Sequence, residues 1–166
     1  MLNKVHRGLF VILLCAASAC NTASTDEFSG WVIDVLDGDS LIVRGPQRRE
    51  HEVRLFGIDA PERHQPFADE ARRYLETLVL NEPVRVNVVD VDKYDRTVAR
   101  LYLVADDTDV NASMIETGHA WVFRRFTGDR AWIALEENAR EERIGLWVQS
   151  DPTAPWKYRK RSNRRR

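Results

Sequence analysis

Three short segments carry residue types that could do chemistry: "DGDS" (37–40), "RLFGIDAPE" (54–62) and "DKYDR" (92–96). The first offers Asp37 and Asp39, the second Arg54, Asp59 and Glu62, the third Asp92, Lys93, Tyr94 and Arg96. Carboxylates gathered at one place supply oxygen ligands for a hard divalent cation. A guanidinium fork matches an oxyanion. Taken singly, each segment also has a plain structural reading. DGD is a common turn, and an acid beside proline is a common loop. Arg54 could pair with Glu52 or Asp34, and Arg96 with Asp92 or Asp95. Asp37 reads as turn chemistry rather than as a ligand.

The elements that must position these residues follow from periodicity. "FSGWVIDVLDGDSLIVRG" (28–45) reads as two strands about an LDGDS turn, with Trp31, Ile33 and Val35 alternating before the turn and Leu41 and Val43 after it. "HEVRLFGID" is a third strand, stopped by Ala60-Pro61. Phe67, Ala71, Tyr74, Leu75, Leu78 and Val79 recur at helical spacing and predict a helix over 65–80. Strands are expected over 83–92 and 96–104, a short helix over 111–118 ended by Gly118, and a last helix over 130–145 ended by Gly145. Trp31, Trp121, Trp132 and Trp147 read as core or core edge. The class is α+β. Five antiparallel strands with a helix between the third and fourth suggest a small closed barrel of the oligonucleotide-binding (OB-fold) type.

A chain of 166 residues that is 43% hydrophobic holds one domain with a real core, placed at 28–150. Residues 1–19 have the layout of an export signal: Lys4 and Arg7, an apolar run from Leu9 to Leu14, then small residues, with no acid before Asp26. "ASA" at Ala17–Ala19 fits a signal peptidase site, and "ASAC" resembles the bacterial lipobox, with Ala17 in place of its usual leucine. Cys15 and Cys20 are the only cysteines. Lipidation explains an otherwise unpaired Cys20, so a membrane-anchored lipoprotein of the cell envelope is expected, with plain secretion as the other outcome. Residues 20–27 form a linker, and the folded domain has no disulfide. Residues 151–166 are expected to be a basic, disordered tail. Positions 156–166 hold seven Lys and Arg and no acid, whereas 26–155 carry a net charge of −10. An acidic body excludes a simple non-specific DNA binder. The tail reads either as a tether for a polyanion or anionic membrane, or as a solvated end.

Together, in this order and on these elements, the three segments resemble the staphylococcal nuclease (thermonuclease) family. The resemblance runs from about Trp31 to Trp147 and includes "QPFADEA" (65–71) and "GLW" (145–147). It implies a five-stranded OB-fold barrel with three helices. It implies a monomeric Ca²⁺-dependent phosphodiesterase, endo- or exonuclease, acting on DNA and/or RNA and leaving 3′-phosphate ends, with no obligate protein partner. By the family's pattern Asp39 and Asp59 ligate the metal, with the Ala60 carbonyl as a third ligand. Glu62 orients or deprotonates the attacking water. Arg54 and Arg96 grip the phosphate and stabilise its transition-state charge. Lys93 and Tyr94 match positions near the neighbouring 3′ phosphate. Arg124 and Phe126 fall where the archetype has two nucleotide-contacting tyrosines, so the phenolic hydroxyls are gone. Asp95 stands where the archetype has glycine, Ala60 replaces a threonine, and the loop after Glu62 is shorter. His51, His64 and His119 show no HxxxH or HNH spacing, which disfavours a zinc or histidine-base enzyme. The alternative is a non-catalytic nucleic-acid- or protein-binding module on the same fold.

Overall fold

A computed structural model describes residues 26–164 of the chain. The expected signal peptide, most of the linker and the lipidation site at Cys20 lie outside the described residues.

Strand β1 (Glu27–Val35), β2 (Ser40–Arg44), β3 (Glu50–Leu55), β5 (Pro83–Val91) and β6 (Thr97–Leu103) close into a barrel in the order β1-β2-β3-β6-β5. Closure comes from β3 pairing with β6, and that pair is parallel, with Val53 opposite Thr97 and Leu55 opposite Ala99. The expectation of five antiparallel strands is therefore corrected at this seam. Helix α1 (Ala68–Val79) intervenes between β3 and β5, and a connection through a helix lets the chain return parallel. Two-residue strands β4 (Ile58–Asp59) and β7 (Trp121–Val122) form a small separate ladder.

Inward-facing aliphatics fill the barrel: Val32, Leu41, Val43, Val53, Leu55, Val84, Val86, Ala99 and Leu101 are all buried. The alternation predicted for β1 is out of phase. A register shift between Val32 and Asp34 sends Val32 and Val35 inward, while Trp31 is 57% exposed. One extra residue in a strand reverses the faces beyond it, so Trp31 is not core. Helix α1 turns Ala71, Leu75 and Val79 onto the barrel, as its spacing predicts. Helices α2 (Val110–Glu116) and α3 (Arg130–Glu141) pack on each other, and α2 packs against β6. Each starts on an aspartate that accepts backbone N–H groups, Asp109 from Ala112 and Asp129 from Ala131 and Trp132.

The tail expectation is also corrected. Residues Pro155–Asn163 form a fourth helix, α4. Its own sequence has no apolar stripe. A tertiary anchor holds it: the Trp156 ring stacks on Phe123 at 5.2 Å and meets Trp121 edge-on at 5.6 Å. Ala154 and Pro155, where the chain enters the helix, are buried.

Candidate active site

The three segments converge on one side of the barrel, around a cavity of about 790 Å³. Asp39 sits at the head of β2, after a turn in which Asp37 Oδ1 accepts the Asp39 N–H at 3.0 Å, the turn role expected for Asp37. Leu55 donates its backbone N–H to the Asp39 carbonyl at 2.8 Å, fixing the head of β2 against the end of β3. The Ala60 N–H donates to Asp39 Oδ2 at 2.7 Å, which ties the first segment to the second.

Asp59 is fully buried and Asp39 nearly so. Both face the Arg54 guanidinium, which forms an ion pair with Asp39 and donates from Nη2 to Asp59 Oδ1 at 3.0 Å. Neither Glu52 nor Asp34 is its partner. Burial lowers the Arg54 pKa, the charges of Asp59 and Asp37 oppose that shift, and Arg96 and Arg159 add to it. Two buried carboxylates sharing one buried guanidinium form a pre-set arrangement that neither charge would tolerate alone.

The position of Asp59 is set by a relay from α3. Glu136, fully buried, accepts the Val122 N–H at 2.9 Å, and β7 then pairs with β4, Ile58 opposite Val122 and Asp59 opposite Trp121. Asn111, also fully buried, donates to the Phe56 carbonyl at 2.9 Å and accepts the Leu101 N–H at 3.0 Å, pinning the turn between β3 and β4. Gly57 in that turn has φ +71°, and a Cβ there would meet the Trp132 ring at 2.8 Å.

Arg96 lines the same cavity, held by Asp92: Nη2 and Nε donate to Asp92 Oδ2 at 2.7 and 2.9 Å. Burial alone would raise the Asp92 pKa, but these bonds and the Arg96 charge lower it below the usual carboxylate value. Asp95 does not pair with Arg96. It is exposed, with φ +65°, the left-handed geometry expected where the archetype carries glycine. Lys93, Tyr94 and Phe126 also line the cavity, and Tyr94 and Phe126 are well exposed, at 68% and 59%. Arg124 does not line it. Its guanidinium donates to Glu136 Oε2 at 2.8 Å, and Arg140 approaches the same oxygen at 3.2 Å. Arg124, expected to contact a base, is engaged here as counter-ion to a buried acid, with its side chain 51% exposed.

One site residue had no signal in the three segments. Arg159 of α4 reaches into the cavity and donates to both Asp59 oxygens, Nη2 to Oδ2 at 2.8 Å and Nη1 to Oδ1 at 3.0 Å, and it also pairs with Glu62. Burial alone would lower its pKa, but the hydrogen bonds and charges of Asp59 and Glu62 raise it above the ordinary arginine value. The only hint in the sequence was a concentration of cations in an otherwise acidic chain.

The donor set fits a hard divalent cation. Asp39 and Glu62 line the cavity beside Ala60, and the fully buried Asp59 is joined to it through Arg54 and Arg159, which line it too. The three carboxylates face two guanidiniums, Arg54 and Arg159, so an excess of negative charge remains. Among the described residues, no three acids, histidines or cysteines are grouped as a ready cage.

Comparison with known proteins agrees with this geometry. The family model described as staphylococcal nuclease homologue matches residues 52–149. The chain is 38% identical over 145 residues to a protein of Shigella flexneri named micrococcal nuclease, covering 82% of this chain and 83% of that one. It is 37% identical over 150 residues to Protein ParB of Escherichia coli, covering 84% of each. It is 30% identical over 161 residues to a protein of Haemophilus influenzae named as an uncharacterized endonuclease, covering 96% of this chain and 88% of that one. Both the Asp39 turn and α4 lie outside the span of the family match.

Proposed function

The chain belongs to the staphylococcal nuclease homologue family, and from that premise we propose that it is a Ca²⁺-dependent phosphodiesterase that hydrolyses DNA or RNA and leaves 3′-phosphate ends. The observation that carries this reading is the convergence of Asp39, Glu62, Arg54 and Arg96 on one cavity, with the buried Asp59 paired to the same Arg54.

Asp39 and Asp59, with the Ala60 carbonyl, would hold the cation. A bound Ca²⁺ would supply positive charge to the phosphoryl oxygens and a site for water. Glu62, on the loop after β4, is 35% exposed, which keeps it within reach of a water on the open side of the cavity. There it orients that water or takes its proton as the phosphorus is attacked. Arg54 and Arg96 lie among the cavity walls and fork onto the phosphate, where their charge is worth most as negative charge spreads in the transition state. Asp92 orients Arg96 for that task. Lys93 and Tyr94 meet the phosphate on the 3′ side, and the exposed Phe126 ring offers a face to an unpaired base. Substrate is therefore single-stranded or locally opened nucleic acid.

The N-terminal 25 residues add an address. Export followed by lipidation of Cys20 would tether the enzyme to the cell envelope, where Ca²⁺ reaches levels that suit a weak all-oxygen site.

The test incubates the purified chain with single-stranded DNA and with RNA, in Ca²⁺ and in chelator, and identifies the product ends. Ca²⁺-dependent cutting with 3′-phosphate products is expected. Cutting that continues undiminished in chelator would refute the metal assignment. No cutting of either polymer by the folded protein would refute the enzyme.

A further inference from the structure

Helix α4 lies outside the matched family span, yet it sends one of its cations into the cavity. Lys157, Lys160 and Arg161 on the same helix are exposed. Arg159 alone is turned inward, onto Asp59 and Glu62.

The contact is built in from several directions. Trp156, three residues earlier, is stacked on Phe123, itself a wall of the cavity. Gln65 bridges the two partners through the backbone: its Oε1 accepts the Glu62 N–H at 2.8 Å and its Nε2 donates to the Thr153 carbonyl at 2.9 Å. The segment leading into α4 and the loop carrying Glu62 are thus fastened to one side chain.

We propose that Arg159 is an additional positioning residue of the active site, an internal counter-cation that holds Asp59 and Glu62 and must release Asp59 before a divalent cation can take it. The inference rests on the metal-dependent reading given above. The reasoning is one of shared oxygens. Both Asp59 oxygens accept from Arg159, and Oδ1 accepts from Arg54 as well. A cation ligated by Asp59 needs one of these lone-pair directions at about 2.3–2.6 Å, and a guanidinium donating to the same oxygens repels it. The carboxylates lose little by the exchange, passing from one cation to another. The exchange lowers metal affinity and keeps the buried acids paired when metal is absent. The Arg159 side chain is 38% exposed, so it has room to swing toward solvent or toward a phosphate in the cavity.

The test measures Ca²⁺ affinity by calorimetry on the chelator-stripped full chain and on Arg159→Met and Arg159→Lys. Arg159→Met removes the competitor and should bind Ca²⁺ roughly two- to fivefold more tightly, the scale of a partly exposed ion pair. Arg159→Lys keeps the charge but loses the fork, and should fall between. On the unaltered protein, amide hydrogen exchange across residues 157–163 should quicken when Ca²⁺ is added, because α4 loses its inward tie. Should a variant fail to fold, this native measurement stands by itself. Unchanged or weaker Ca²⁺ affinity in Arg159→Met, or α4 exchange indifferent to Ca²⁺ in a protein that binds it, would overturn the inference and leave the nuclease reading intact. Absence of Ca²⁺ binding by wild type and variants up to roughly ten millimolar, above the usual range of extracellular sites, would overturn both.

Discussion

Replacing Arg54 with methionine tests the logic of the site more sharply than any loss of activity. The side chain is 17% exposed, and its two partners, Asp39 and Asp59, are 8% and 1% exposed. Removing one member of a buried ion pair costs about 3–5 kcal/mol, because the remaining charge is stranded. Here the stranding is incomplete. Asp39 keeps the Ala60 N–H at 2.7 Å, and Asp59 keeps Arg159 at 2.8 Å. The expected loss in chelator is therefore ~2–4 kcal/mol, with the Asp39 side contributing most. Calcium should reverse part of it. Asp39 is then free to ligate and Asp59 has one guanidinium fewer to displace, so at one fixed Ca²⁺ concentration the variant should gain more than wild type, about 1.4 kcal/mol where that concentration is ten times its Kd. The assay is urea unfolding of wild type and Arg54→Met, each with chelator and with Ca²⁺. A loss below ~1 kcal/mol in chelator would mean that the buried pair is not formed. A Ca²⁺ rescue no larger in the variant than in wild type would mean that these carboxylates are not the metal's ligands.

Other consequences follow from single residues. Glu136→Ala leaves Arg124 and Arg140 without their shared acid and Val122 without its acceptor, so stability should fall by about 3 kcal/mol, and cleavage should fall further because the Asp59 strand loosens; stability lost with full activity would refute the relay. Asp95→Gly relieves an aspartate held at φ +65° and should raise the urea midpoint, a gain of up to ~1 kcal/mol, without lowering activity. His119 stacks on Tyr74 at 4.4 Å, and burial lowers its pKa below 6.5, with Glu70 partly opposing. The unfolded chain then binds more protons, so the stability linked to this ring is present above pH 6.5 and is lost as pH falls toward the folded value. The thermal midpoint of His119→Phe should respond less than that of wild type to a shift from about pH 7 to about pH 5.

What could be read from the sequence was what is local. The turn at Asp37 and the DKYDR loop each announce themselves within ten residues, and the aliphatic alternation in β3 and β5 places the core without help, but the run 51–59, which reads as one strand, breaks at Phe56-Gly57 into β3 and β4 of separate sheets. Phase in β1 was lost because a bulge leaves no reliable mark in a run as apolar as Trp31–Val35. The parallel β3–β6 seam depends on how the barrel closes, which periodicity within one strand does not encode. Helix α4 was missed for a related reason: its order comes from Trp156 meeting Phe123 across more than thirty residues, not from a stripe of its own. Arg124 looked available for a base because its partner, Glu136, sits twelve residues away on another element. In each case the missing information was a contact, and charged residues were affected most because a buried partner redirects them.

The most direct test of the central claim follows single-stranded DNA cleavage by wild type, Glu62→Gln and Arg96→Ala in Ca²⁺, with Ca²⁺ affinity measured on the same samples. Cleavage should fall by at least about a hundredfold in both variants. Arg96→Ala should keep its Ca²⁺ affinity, since Arg96 touches neither Asp39 nor Asp59. Variants that cut as fast as wild type would contradict the account and move the chemistry away from this cavity.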